Sequence, residues 1–237
     1  MTAEATTIAR KSTASADKAA RKPEIAGLDD DANISLLTDP QSLSAEAIRS
    51  LRTQIVARHV DAGRRALAMV APTAECGLTT LTINLAIALA QSGLRILLVD
   101  ADLRKPSVTA ALGISDNAGL AGILSGGVAE MEDVIIRDVI TNLSILPAGG
   151  TPAQPHELLA GARFRQIVRE TMREYDLTLY DTSPANQSPD AIAVANAAGY
   201  AAIASRRDHS YTSDVRTLTG QLSDSGSVVI GSVLNVF

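Results

Sequence analysis

Residues 66–106 read ALAMV APTAECGL TTLTINLAIALAQ SGL RILLV DADLRKP. Two short runs without polar alternation flank a longer apolar stretch. Runs of that length, apolar at every position, fit strands buried on both faces of a sheet, and the stretch between them has helical length. The sequence therefore predicts a strand at Ala66–Val70, a helix at about Thr79–Gln91 stopped by Ser92-Gly93, and a strand at Arg95–Val99 running into Asp100. A strand, a crossover helix and a second strand form a βαβ unit, whose strands lie parallel.

The alternation continues on both sides. Upstream, after Asp39-Pro40, Leu43, Ala47, Ile48, Leu51 and Ile55 recur at helical spacing and predict a helix over roughly Ser44–His59. Downstream, strands are expected at Leu143–Leu146, Leu177–Tyr180 ending in Asp181, Gly199–Ala204 and Val228–Leu234. Helices are expected at His156–Tyr175, Asp190–Ala198 and Thr212–Ser223, with short helices around Gly119–Ser125 and Glu130–Ile135. The fold class is α/β, a mostly parallel sheet covered by helices on both faces. Residues 1–35, rich in Ala, Thr, Ser and charge, are expected to form a disordered, weakly basic arm. Residues 36–237 make the domain.

Composition narrows the function. The 21 Lys+Arg stand against 26 Asp+Glu, a formal net charge of -5, without the basic excess of a nucleic-acid binder. Aromatics are 3%, too sparse for a stacking surface, and the single cysteine, Cys76, excludes an internal disulfide framework or a multi-cysteine zinc site. His59, His156 and His209 show no metal-ligand spacing. No run approaches the about 18 apolar residues of a membrane span, and no apolar leader follows Met1. The chain is therefore expected in the cytoplasm, reaching a membrane only through a partner.

Ligands of such folds sit beyond the carboxyl ends of the strands. Three features fall there. The loop Pro72-Thr73-Ala74-Glu75-Cys76-Gly77-Leu78-Thr79-Thr80 joins a strand to a helix, where a phosphate-binding loop belongs. Such a loop reads G-x-x-x-x-G-K-[ST]: backbone N–H groups cradle phosphates, the lysine neutralises them, and the hydroxyl binds Mg²⁺. Gly77, Thr79 and Thr80 suit it, but Leu78 occupies the lysine position. In the second feature, Asp100 and Asp102 stand two residues apart just past a buried strand, disposed to approach one metal, or else to cap the next helix. Arg104 follows, free to reach a phosphate or to pair with either aspartate. The third is Asp181, at the end of another apolar strand, the arrangement that positions Mg²⁺ in P-loop proteins. Cys76 reads as a bystander thiol near a helix start.

Together these motifs resemble the cytoplasmic domains of bacterial tyrosine autokinases of capsule and exopolysaccharide synthesis, a deviant-Walker branch of P-loop NTPase-like proteins. The similarity runs over about 40–237. Asp100, Asp102, Arg104 and Pro106 match the family's D-x-D-x-R-x-P, and Asp181, Thr182 and Pro184 match its D-T-P-P, with Ser183 in place of one proline. Glu46, Arg49 and Arg52 match its E-x-x-R-x-x-R helix, which implies subunit contacts. Leu146-Pro147-Ala148-Gly149 and Pro155-His156-Glu157-Leu158-Leu159 look like its segment before the next helix, and Asn235 looks like the asparagine that reads adenine.

The resemblance implies Mg-ATP on the loop, Thr79 and Asp181 on Mg²⁺, and Asp100 or Asp102 activating a tyrosine hydroxyl. Its partner would be a separate membrane-anchored polysaccharide co-polymerase, with self-association through the Arg-bearing helix. The departures are Glu75 and Leu78, where the family has Gly and Lys, and the lack of a tyrosine-rich tail after Asn235. They favour a regulatory member with weak or lost ATP use, holding ATP and Mg²⁺ only if the site functions, over an active kinase with a variant loop. The motifs also leave room for a positioning ATPase of the septum-site or partition type, and for a pure scaffold that binds a partner's tail and no nucleotide.

Overall fold

The computed structural model describes residues 33–115, 118–127 and 130–236. Its centre is the stretch that decides the fold: β1 (Ala66–Val70), α3 (Leu78–Gln91) and β2 (Ile96–Asp100). Before them come α1 (Ser35–Thr38) and α2 (Leu43–Ile55). After them come α4 (Val108–Ala111), α5 (Leu120–Leu124), β3 (Ile136–Ile140), β4 (Leu143–Leu146), α6 (Pro155–Ala160) and α7 (Ala162–Glu174). The chain closes with β5 (Leu177–Asp181), α8 (Asp190–Ala198), β6 (Tyr200–Arg206), α9 (Thr212–Asp224) and β7 (Val228–Asn235).

The seven strands form one sheet in the order β3-β4-β2-β5-β1-β6-β7. All neighbours are parallel except β3 and β4. Along β1 the side chains alternate between two cores. Leu67 and Met69 join Ile83, Leu85 and Ile87 of α3 on one face. Ala66, Ala68 and Val70 join Phe164 and Ile167 of α7 and Val194 of α8 on the other. Covering both faces explains why β1 is apolar at every position.

Four sequence expectations need correction. The helix over 156–175 is two helices that meet at Gly161, whose extended backbone (ψ 164) ends α6 and starts α7. The helix over 44–59 runs as α-helix from Leu43, capped by the Ser42 hydroxyl on Ala45 N (3.1 Å), and closes in a π-turn at Val56–Val60. α4 and the edge strand β3 were not expected; β3 alternates only weakly and carries charges, as edge strands do. Finally, Asn33–Ser35, assigned to the arm, belong to the folded unit: Ile34 and Leu36 are buried beneath α3. Asn84, which interrupts the apolar run of α3, holds them. Its Oδ1 accepts from Leu36 N (3.2 Å), and its Nδ2 donates to Asn33 O (3.3 Å). The rest of the proposed arm lies outside the described residues.

Candidate functional site

Strand register brings the acidic residues together. β2 and β5 are neighbours in the sheet, and Asp100 lies directly across from Asp181 at their carboxyl ends. β1 runs beside β5, so the loop that follows it sits over the same edge. Thr182 ties the two strands by donating to Met69 O at 2.8 Å. α3 then starts just after Gly77, which sits in the left-handed region at φ 71, and delivers Thr79 to Asp181.

Asp181 is fully buried. Its Oδ2 accepts from Thr79 Oγ1 at 2.7 Å and its Oδ1 from Thr82 Oγ1 at 3.0 Å. Ser107 Oγ donates to Thr79 Oγ1 at 3.1 Å, extending the chain of hydroxyls. Asp100 caps the turn after β2: its Oδ2 accepts from Ser107 N and Val108 N (both 3.1 Å), and its Oδ1 from Asp102 N (3.2 Å). Burial pushes the Asp181 carboxyl up to about 8, helped by the Asp100 charge beside it and opposed by the two threonine hydroxyls. Burial likewise raises Asp100 to about 7, against the pull of its backbone N–H partners. Two buried carboxyls set side by side, with a threonine hydroxyl between them and a cavity, are a hard-oxygen set that suits Mg²⁺. Among the described residues no three His, Cys, Asp or Glu side chains cluster as a closed metal site. A cation held here would take ligands from the nucleotide and water as well.

The phosphate half is different. A cavity of about 240 Å³ opens over the loop, lined by Gly77, Leu78, Thr79, Thr80, Asp102 and Lys105 among others. Glu75 holds φ 59, the left-handed conformation that favours glycine, so the loop keeps its bend although a carboxylate side chain now hangs from it. Leu78 is only 8% exposed and packs into the α3 core. Three donors brace the loop from behind. His209 Nε2 meets Ala74 O at 3.0 Å, Arg206 Nη1 donates to Glu75 O at 3.2 Å, and Asn235 Nδ2 donates to Cys76 O at 2.7 Å. Asn235, expected to read adenine, is thus engaged with the loop itself. Cys76 is buried, its sulfur 3.3 Å from Ser210 Oγ.

Of the sequence-derived residues, the structure gathers Gly77, Thr79, Thr80, Asp100, Asp102 and Asp181 at one sheet edge. Asp100 and Asp102, expected to approach one metal or else to cap the next helix, both accept from backbone N–H groups. Asp102 Oδ1 accepts from Arg104 N and Lys105 N, both at 3.0 Å, so each aspartate caps backbone. Arg104 pairs with neither aspartate. Its Nε donates to Asp190 Oδ2 at 2.6 Å, at the start of α8. His156 Nδ1 stands 3.3 Å from Asp190 Oδ1, without the alignment of a hydrogen bond. Glu46 and Arg49 form an exposed pair at 3.3 Å, and Arg49 also donates to Pro40 O at 2.7 Å. The sequence reading missed Thr82, Ser107, Lys105 and Asp190. Thr82 was findable, being one helical turn past Thr79, whereas Asp190 lies 86 residues from its arginine partner.

A strand, a loop with a left-handed glycine, a helix bearing the hydroxyl, and a buried aspartate on the adjacent strand are the architecture of P-loop NTPases. The family model described as "AAA domain" matches residues 66–218. The chain is 30% identical over 196 residues to the putative tyrosine-protein kinase CapB of Staphylococcus aureus, covering 83% of this chain and 86% of that one. Against the tyrosine-protein kinase wzc of Salmonella typhimurium, identity is 32% over 197 residues, but the match covers 27% of that longer chain. The kinase domain of Escherichia coli tyrosine kinase ETK superposes with a TM-score of 0.81 at 27% identity, covering 86% of this chain and 79% of that one. The septum site-determining protein MinD of Pyrococcus horikoshii, complexed with Mg-ADP, reaches 0.62 at 27% identity, covering 72% and 70%. The chain belongs to the bacterial tyrosine-kinase family of P-loop proteins.

Proposed function

We propose that this chain is a regulatory member of that family, a cytoplasmic component of exopolysaccharide synthesis and export with weakened nucleotide use. The observation that carries the reading is the split within the site: Thr79 and Asp181 remain paired at 2.7 Å, while Leu78 has its side chain in the core. Mg²⁺, when bound, would neutralise phosphate charge; Thr79 and Asp181 are the residues to hold it. Losing a charge-assisted lysine contact costs about 1.5–3 kcal/mol, roughly ten- to a hundredfold in affinity. Glu75 adds a negative charge on the cavity wall. Calorimetry with Mg-ATP is expected to give a dissociation constant of about 100 µM or weaker, and incubation with Mg-ATP to give no phosphotyrosine. Low-micromolar binding or autophosphorylation would overturn the reading in favour of an active kinase with a variant loop.

The partner proposed is a membrane-anchored polysaccharide co-polymerase on a separate chain. Among the described residues no helix is long and apolar enough to cross a membrane. Self-association is proposed through Glu46, Arg49 and Arg52, which share one stripe of α2 at spacings of three. The exposed Glu46–Arg49 pair contributes little internally, so Glu46 is available to a second copy at small cost, while Arg49 would also have to share or release its bond to Pro40 O. Replacing Arg49 and Arg52 by Ala should reduce the mass seen by light scattering with the partner's tail present. An unchanged assembly removes this stripe from the interface.

A further inference from the structure

The cavity over the loop lacks the loop's own lysine, but another cation lines it. Asp102 and Lys105, from the segment after β2, contribute to its lining. Lys105 is the one cationic side chain lining the cavity among the described residues, against Glu75 and Asp102 as the anionic ones. Its backbone is anchored: Lys105 N donates to Asp102 Oδ1 at 3.0 Å, and Pro106 fixes the next step of the chain. Its side chain is exposed and makes no hydrogen bond or ion pair with the described residues. The neighbouring Arg104 is the opposite case, its guanidinium held by Asp190 at 2.6 Å. Of two adjacent cations, one is committed to the fold and the other is left at the cavity.

We propose that Lys105 supplies the polyphosphate contact that P-loop proteins take from the helix-start lysine, so that the cation reaches the phosphates from the β2 side. The inference rests on the reading of the cavity as a weakened nucleotide site. An ammonium suits the task. It is a compact point charge on a flexible stem with three rotatable donors, and it needs no fixed fork geometry to meet a phosphate oxygen. The position also accounts for the anchoring. Asp102 holds the backbone of residue 105 at the rim, leaving only the side chain to order on binding. That contact is less pre-organised than a lysine rooted at the helix start, in keeping with weak affinity.

The test is a set of NMR titrations of the full chain with Mg-ATP, in two backgrounds. In the wild type, Lys105→Ala should weaken binding by about tenfold, and Lys105→Arg, which keeps the charge, should recover most of it. In the Glu75→Gly/Leu78→Lys background, where the loop again carries a lysine, Lys105→Ala should change affinity by no more than about threefold. The melting temperature of Lys105→Ala should match the wild type, because the side chain supports nothing in the fold. If Lys105→Ala leaves wild-type binding unchanged, or weakens both backgrounds equally, the relocation is wrong while the weakened site stands. If neither the wild type nor the double variant binds Mg-ATP, the nucleotide reading fails and takes this inference with it.

Discussion

Replacing Glu75 by Gly together with Leu78 by Lys should raise the affinity for Mg-ATP by at least about tenfold, or about 1.4 kcal/mol. The two changes act on different terms. Glu75 carries a carboxylate on the cavity wall and adopts φ 59, so glycine removes a charge and suits the backbone already present. Leu78 opens α3 at the position where a lysine would reach the phosphates. Local charge shifts by +2, from one negative removed and one positive added. The cation half needs no repair, since Thr79 and Asp181 are in contact at 2.7 Å.

A second readout separates this from a general loosening. Leu78 is 8% exposed and belongs to the core cluster around α3, so its loss should destabilise the ligand-free protein by about 1–3 kcal/mol. A lysine placed at a helix start also meets the positive end of the helix dipole. The double variant should therefore melt lower than the wild type without nucleotide and recover more of its stability when Mg-ATP is added. A variant that gains no affinity would mean that the rest of the site has drifted too, and would favour a scaffold that binds a partner and no nucleotide.

The central strands were legible because they are buried on both faces and so read as mostly apolar runs. Ala66–Val70 and Leu143–Leu146 have the same limits in the sequence reading and in the structure. β3 was not legible. It is an antiparallel edge strand with Arg137 and Asp138 exposed, so burial left no pattern to read. At the site, residues at strand ends were readable because parallel strands deliver their carboxyl termini to one edge. What each side chain does there was not. Arg104 could be placed near Asp100 and Asp102 by sequence distance, yet its partner is Asp190, brought in by α8 from the far end of the chain. Asn235 likewise meets Cys76 O across 159 residues of sequence. Spacing reports local geometry, whereas long-range hydrogen bonds depend on packing that a single sequence does not display.

The stretch Leu146-Pro147-Ala148-Gly149 shows how a short motif encodes a backbone contact. β4 runs into it, and the first turn of α5 docks there through Leu120 N to Pro147 O and Ala121 N to Ala148 O, both 2.8 Å. Gly119 and Gly149 pass so closely that a Cβ on Gly119 would overlap the Pro147 carbonyl, and one on Gly149 would overlap the Gly119 backbone. Gly149 is also left-handed, at φ 71. Gly149→Ala therefore meets two costs: about 1–2 kcal/mol for alanine in that conformation, and displacement of α5 with part of its two hydrogen bonds, at about 0.5–1.5 kcal/mol each. A loss near ~3 kcal/mol is expected in urea unfolding. The damage should extend to the site, because Leu120 and Ile123 of α5 pack in one cluster with Leu103, which lies between Asp102 and Arg104. Gly63→Ala is the control. Gly63 is left-handed at φ 75 but has nothing within 4 Å of its Cβ position, so it should lose only the conformational part, about 1–2 kcal/mol. If Gly149→Ala costs no more than Gly63→Ala, the close passage of the two glycines does not hold α5 in place.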